Sequence, residues 1–248
     1  MKLLIVHLQL LENKTMPKYN LIGVGTNAKT IKGDGSEYLT AILYLAPASI
    51  VAGIVMCAMA VIAGCANACL YSAGRGAFNS VQKSRIRKTI LYRDNRKEFM
   101  RLLCLDLDKF QAYCFKKDIK PVVRLNGTSD RDFMDIIRQY PLIQFYDYTK
   151  VFNRLDKELP SNYHMTLSYS ETNMKYADSI LNATVKHKTN MAVVFRDKNK
   201  IPATFKGMPV IDGDKDDLRF LDPNDQPYVV ALYAKGQAKK DKSGFVID

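Results

Sequence analysis

The chain has 248 residues, 47% of them hydrophobic and 25% charged, with 13 glycines and 9 prolines. That balance supports the core of one substantial domain and excludes a disordered chain, a collagen-like repeat or a long coiled coil. Lys and Arg number 37 against 25 Asp and Glu, and the resulting +12 suits an anionic partner such as nucleic acid, a phosphate ligand or a membrane surface. Five cysteines, three of them between positions 57 and 69, do not make the even, spread-out set of a secreted disulfide framework, so a reducing compartment is expected.

Residues 1–15, MKLLIVHLQLLENKT, carry an apolar run broken by His7 and Gln9 and lack a small-residue cleavage site, which makes a poor signal peptide. Met16-Pro17-Lys18 reads as a natural start, and Leu11-Glu12 can be encoded by a purine-rich stretch just upstream of it. Residues 1–15 are therefore expected to be a translated leader, followed by a single domain over 16–248.

From Tyr38 to Gly74 no residue is charged. The middle of this stretch, SIVAGIVMCAMAVIAGCANACL, has the ~20 apolar residues that a bilayer span requires, and one reading is a membrane segment at 48–70. The other is a buried strand, TAILYLA, ended by Pro47 and followed by a packed, Ala-rich loop and a helix start. Apolarity drawn from Ala, Gly and Cys rather than Leu and Phe, with Asn67 at the far end, favours the second.

Asn95 with Glu98 three residues on forms a capping box, and Phe99, Leu102, Leu103, Leu107, Phe110 and Cys114 follow at helical spacing until Pro121. Strands are then expected at 121–125, 142–146, 163–168, 191–196, 209–212 and 228–232, with helices at 131–139 and 173–186. Short apolar strands separated by helices predict one α/β domain built on a mainly parallel sheet, a partial (β/α) barrel of TIM-like type. Several strands run out into polar residues at their carboxyl ends: Asn126, Ser129 and Asp130; Asp147 and Lys150; Ser168, Ser170 and Glu171; Arg196; Asp212 and Asp214. In parallel folds that rim is where ligands bind, although each residue alone also reads as a turn or helix cap.

Cys57, Cys65 and Cys69 stand as C-x7-C-x3-C. Three cysteines in an apolar segment fit a packed core. A closed zinc site wants a fourth ligand, from Cys104 or His164. Three thiolates without a fourth suit an iron–sulfur cluster with one iron left open.

The run from Ala46-Pro47 through these cysteines to Gly74-Arg75-Gly76-Ala77-Phe78-Asn79-Ser80-Val81 resembles a family of tailed-phage proteins. So do Arg124-Leu125-Asn126-Gly127-Thr128-Ser129-Asp130, Tyr146-Asp147-Tyr148-Thr149-Lys150, Val210-Ile211-Asp212-Gly213-Asp214 and Ser243-Gly244-Phe245-Val246. The cysteine segment and strand–helix order are in turn similar to radical S-adenosylmethionine enzymes, partial (β/α) barrels whose three-cysteine loop after the first strand holds a [4Fe–4S] cluster. Both gaps between the cysteines are longer here than is usual there. That resemblance implies that Cys57, Cys65 and Cys69 ligate the cluster. It also implies that Asn126, Gly127, Thr128 and Ser129 meet the amino-acid end of S-adenosylmethionine, and that Ser168 and Ser170 lie near its ribose. The phage resemblance implies work in the host cytoplasm.

Residues 75–101 hold nine Lys or Arg against Asp94 and Glu98, a net +7 of the chain's +12. Arg75, Lys83, Arg85, Arg87 and Lys88, with Phe78, Tyr92 and Phe99 interleaved, read either as a phosphate-backbone patch or as a solvated helix face. Asp212, Asp214, Asp216 and Asp217 read as a turn with caps or as oxygen ligands for a divalent cation. No Gly-x-Ser-x-Gly elbow, Walker loop or His-Glu-x-x-His motif is present, which leaves hydrolase and nucleotidase chemistry unsupported. Three functions follow as expectations: an iron–sulfur enzyme of radical S-adenosylmethionine type acting on a nucleic acid or nucleotide, a nucleic-acid-binding protein with structural zinc or buried cysteines, and a small membrane protein.

Overall fold

The computed structural model describes residues 18–25 and 37–248; the expected leader over 1–15 lies outside them. Runs such as Tyr163–Ser168 and Met191–Phe195 are rich in aromatic and β-branched side chains and fit a pleated, buried surface. The strands are β1 Ile22–Val24, β2 Tyr38–Leu43, β3 Lys120–Arg124, β4 Gln144–Thr149, β5 Tyr163–Ser168, β6 Met191–Phe195, β7 Thr204–Phe205, β8 Met208–Asp212, β9 Val229–Tyr233 and β10 Val246–Ile247. They form one open 10-stranded sheet in the order β1-β2-β3-β4-β5-β6-β9-β8-β7, with β10 beside β6. All pairings are parallel except β1 with β2 and β7 with β8.

From β2 to β6 the strands lie side by side in chain order. The helices between them pack on one set of strand side chains, as in a (β/α) barrel left open. The helices are α1 Asn79–Asp94, α2 Arg96–Lys116, α3 Met134–Gln139 and α4 Met174–Lys186. Alternation along each strand sends one set of side chains to them. Leu43, Val123, Phe145 and Met165 meet Phe99, Leu103, Leu107, Phe110 and Cys114 of α2. Leu167, Met191, Val193 and Val229 meet Tyr176, Ala177 and Ile180 of α4. The other set faces inward and is far more polar: Thr40, Arg124, Tyr148, His164 and Thr166. The segment after β8 crosses this inner face, where Leu218 and Phe220 pack on Val122, Tyr146 and Tyr38.

Half of the expected capping box forms: Glu98 N donates to Asn95 Oδ1 at 3.1 Å, while Asn95 N bonds Leu91 O and the Glu98 carboxylate turns to Arg101. The helix expected at 131–139 begins at Met134, because Arg131 N is taken by Asn126 Oδ1 and Asp132 caps Met134 N. β4 lies two residues later than its apolar run suggests; Leu142 sits in a turn, 64% exposed. Residues 48–70 form turns rather than a membrane helix, with Val51, Met56, Ala60, Ala63 and Ala68 buried. No helix among the described residues is long and apolar enough to cross a membrane.

One buried carboxylate ties the amino-terminal strand to the helical layer. Asp106, fully buried on α2, accepts hydrogen bonds from Asn20 N at 2.9 Å, Leu21 N at 2.6 Å and Ile22 N at 3.2 Å, the edge groups from which β1 starts. Lys88 Nζ donates to Leu21 O at 2.5 Å beside it. Asp106→Asn turns one acceptor into a donor facing backbone N–H groups and is expected to cost about 2–3 kcal/mol in chemical denaturation, with hydrogen exchange rising first at residues 20–24.

Candidate functional site

Loops leaving the carboxyl ends of parallel strands converge on one rim. Here they enclose a cavity of about 250 Å³. Its walls come from the loop after β2 (Cys57, Cys65, Cys69), the turn after β3 (Asn126 to Asp130), and Tyr148 and Lys150 of β4 and its end. Ser168 closes β5, and Asp214, Asp217 and Lys235 come from the loops after β8 and β9. The β5–β6 ladder stops at Ser168 opposite Ala192, and β10 takes the freed edge of β6 from Val194 onward. This parting of β5 from β6 widens the rim at Ser168, and Phe245, just before β10, lines the space.

The cysteine loop carries no regular helix between Pro47 and Cys69, so turns and side-chain contacts hold it. Gly64 pins it to the neighbouring loops: a Cβ there would meet Thr172 Oγ1 at 2.2 Å, and its φ of +66° is a conformation other residues resist. Cys57 Sγ donates to Thr128 O and Cys65 Sγ to Ala60 O, both at 3.7 Å. Burial pushes the Cys57 thiol up to about 12; an N–H of Ala48 opposes this, while Cys69, Asp130 and Cys65 add to it. Burial likewise raises Cys69, with the Tyr71 N–H, Lys150 and Arg85 pulling the other way. Such thiols stay protonated at neutral pH until a cation arrives, because only a bound metal makes the thiolate cheap in that setting.

Three half-buried thiols, a soft donor set, line one cavity. Cys104 and Cys114 belong instead to the α2 core. Among the described residues no three His, Cys, Asp or Glu, these cysteines included, are already grouped to hold a metal, so neither a cluster site nor a closed zinc site is preassembled. His164, considered as a fourth ligand, is not among the residues lining the cavity.

The turn after β3 is held from β4. Asp147, 1% exposed, accepts from Asn126 N at 2.8 Å and Asn126 Nδ2 at 3.1 Å. Asn126 Oδ1 in turn accepts from Ser129 Oγ at 2.9 Å and Arg131 N at 2.8 Å. Thr128 Oγ1 donates to Leu45 O at 2.5 Å. Gly127 lies so close to β2 that a Cβ would meet Ile42 and Tyr44 at 2.7 Å. Asp130 closes the turn by accepting from Thr149 Oγ1, Lys150 N and Arg154 Nη1.

The remaining rim candidates separate. Asn126, Gly127, Thr128, Ser129, Asp130, Lys150, Ser168 and Asp214 share the cavity with the three cysteines. Asp147 supports the turn from behind. Ser170 is buried beside Thr172 and Gly244 O, and Arg196 binds Asp248, Lys239 O and Asp241 O, tethering the tail. Asp212 caps Asp214 N, Asp214 pairs with Lys235, and Asp216 pairs with Arg219, so the acidic run serves turns and ion pairs. In the basic stretch Arg75, Lys83 and Arg87 are exposed. Arg85 is buried between the Tyr44 and Tyr71 rings, and Lys88 is turned inward, its ammonium lowered to about 8 by burial.

Arg124 and Tyr148 also line the cavity, though neither stood out as a site residue in the sequence. Arg124 Nη1 is 3.6 Å from Asp217, its Nε 3.9 Å from Asp147, and its guanidinium 4.6 Å from the Tyr148 ring centroid. Burial opposes its charge, but Asp217 and the phenols and carboxylate around it leave it held above its ordinary value. Asp147 is raised to about 6 by burial, against the pull of Arg124 and the Asn126 bonds. The available signal was a lone arginine at an inward position of an apolar strand.

Asp147→Asn is expected to destabilise the fold by about 2–4 kcal/mol, since it opposes donor to donor at Asn126 and leaves Arg124 half-compensated. Amide exchange at 126–131 should rise more than that at α4. His164, half-buried on the inner face, is lowered to about 4 from 6.5 by burial and then by Arg219. The unfolded chain therefore takes up a proton between pH 6.5 and 4 that the folded chain refuses. Stability present above that window is lost as pH falls through it, by roughly 3 kcal/mol. His164→Leu should flatten the drop in Tm across this range.

No curated protein and no solved structure matches the chain. The family model described as gene product 88 matches residues 19–248, which takes in the cysteine loop and every strand of the sheet. The chain belongs to the gene product 88 family.

Proposed function

We propose that this is a phage-encoded iron–sulfur protein of radical S-adenosylmethionine type, with the rim cavity as its site and a nucleic acid or nucleotide as substrate. The observation that carries this reading is convergence: the three cysteines after β2, the 126–129 turn after β3 and Ser168 at the end of β5 border one cavity. Cys57, Cys65 and Cys69 would hold a [4Fe–4S] cluster, Asn126 to Ser129 would face the amino-acid end of S-adenosylmethionine, and Ser168 would stand near its ribose. Ser170, committed to the loop beneath, would support that strand end. A cluster held by these cysteines would, once reduced by an external one-electron donor, supply the electron for reductive cleavage of S-adenosylmethionine.

The chain's own share is to position and to exclude water. Met59, Ala60, Ala68 and Leu70 form an apolar wall on the cysteine side, and Val194, Leu232 and Phe245 face them from the β6, β9 and β10 side. The Asp147–Asn126 bonds hold the turn rigid, so that a ligand meets an ordered surface. A second reading, a nucleic-acid-binding protein with zinc or merely packed cysteines, is favoured by the exposed Arg75, Lys83 and Arg87.

Anaerobic purification with iron, sulfide and zinc assays and a visible spectrum tests the choice, for wild type and the Cys57/Cys65/Cys69 triple alanine. The expected result is a brown protein with about four iron and four sulfide per chain, colourless in the triple variant. A colourless protein carrying zinc transfers support to the second reading. One that stays free of metal after iron and sulfide are supplied overturns the cluster.

A further inference from the structure

We infer that the rim cavity takes its ligand through a compact anionic group, a carboxylate or a phosphate, held by Lys150 and Ser168. The inference rests on the cavity being the functional site, though not on a cluster being present. Its basis is the charge pattern of the wall. Arg124 is matched by Asp217 and Asp147, and Lys235 by Asp214 at 2.5 Å. Asp130 is matched by Arg154 at 2.7 Å and Asp216 by Arg219 at 3.2 Å. Lys150 differs from these. Its Nζ donates to the neutral Ser168 Oγ at 2.8 Å, and among the described residues it forms no ion pair with a carboxylate.

An ammonium has three donors, and Ser168 accepts one. The others belong to a half-buried side chain, whereas each other charged group named here has an oppositely charged neighbour within 4 Å. The ammonium stands over the Phe245 ring, 5.4 Å from its centroid, a cation–π contact that helps to place it without neutralising its charge. The base of the side chain is fixed in advance, because Lys150 N donates to Asp130 Oδ2 at 2.8 Å and Asp130 is clamped by Thr149 and Arg154. Little ordering is left for the moment of binding, which favours affinity. Ser168 adds a hydroxyl that accepts from Lys150 while donating its own proton to a ligand oxygen. Charge-assisted bonds of this kind recognise carboxylate and phosphate oxygens alike. The apolar wall of Val194, Leu232 and Phe245 then suits an uncharged body attached to the anion.

Calorimetric titration of the full chain with inorganic phosphate, acetate, AMP and adenosine tests this, for wild type, Lys150→Gln and Lys150→Arg. The phosphate and acetate arms separate the two sources of the anion. Wild type should bind at least one of them, and AMP should bind at least about ten-fold more tightly than adenosine if the group is phosphate. Lys150→Gln should weaken the bound anion at least about ten-fold, and Lys150→Arg should retain it within a few-fold. Should Lys150→Gln fail to fold, protection of Lys150 from acetylation by the bound anion in wild type, read by peptide mass, answers the same question. Wild type that takes up no anion at millimolar concentration, or a folded Lys150→Gln that binds as wild type does, overturns the inference. Iron content and anion affinity are read separately, so a protein without a cluster fails the iron–sulfur reading and leaves this one to its own result.

Discussion

The Asp147 carboxylate is the group on which the rim depends. It is nearly inaccessible, it sits on a central strand, and its two oxygens serve the backbone and side-chain N–H groups of Asn126 in the turn after the neighbouring strand. Asn126 passes that order on to Ser129 and Arg131, so one interaction between β3 and β4 shapes the turn that walls the cavity. Arg124 opposes the upward push of burial on this carboxylate, and Asp217, on the segment crossing the inner face, shares that guanidinium. The strands, the turn and the crossing segment are thus coupled through charges that would be costly to bury singly.

Parallel order explains why these charges meet where they do. Carboxyl ends of β2 to β6 all point to one rim, and the helices occupy the opposite face of the sheet. The inner face is free to carry polar side chains, provided something covers them. Leu218 and Phe220 do so at the β3–β4 centre. Above them the covering gives way to a cavity bordered by thiols on one side and by Lys150 and Ser168 on another.

Much of this was legible in advance. Apolar runs of strand length and the 3.6-residue stripe of Phe99, Leu103, Leu107, Phe110 and Cys114 are driven by burial that any packing partner rewards, so they could be read without knowing the partner. Polar strand ends were readable as a rim for the same reason: a parallel sheet leaves them no other place. Pairings that depend on distant residues were not readable. β1, β7 and β10 are two or three residues long and exist through their neighbours. The inward turn of Arg85 and Lys88 follows from the Tyr44 and Tyr71 rings and from Leu21 O, all outside α1 and the first and last of them remote from it in the chain. Ser170 and Arg196 ended at the carboxyl-terminal segment rather than at the cavity because β10 returns to pair with β6, which no local pattern announces.

The central claim is that Cys57, Cys65 and Cys69 share one inorganic group at the rim cavity. Anomalous diffraction at the iron edge, from crystals of anaerobically prepared protein, tests it most directly. The account predicts a single strong anomalous peak within the cavity, bordered by all three sulfurs and lying on the Asn126 to Ser129 side of the sheet. A cavity without anomalous density in iron-containing crystals, or a peak held by other residues, would contradict it.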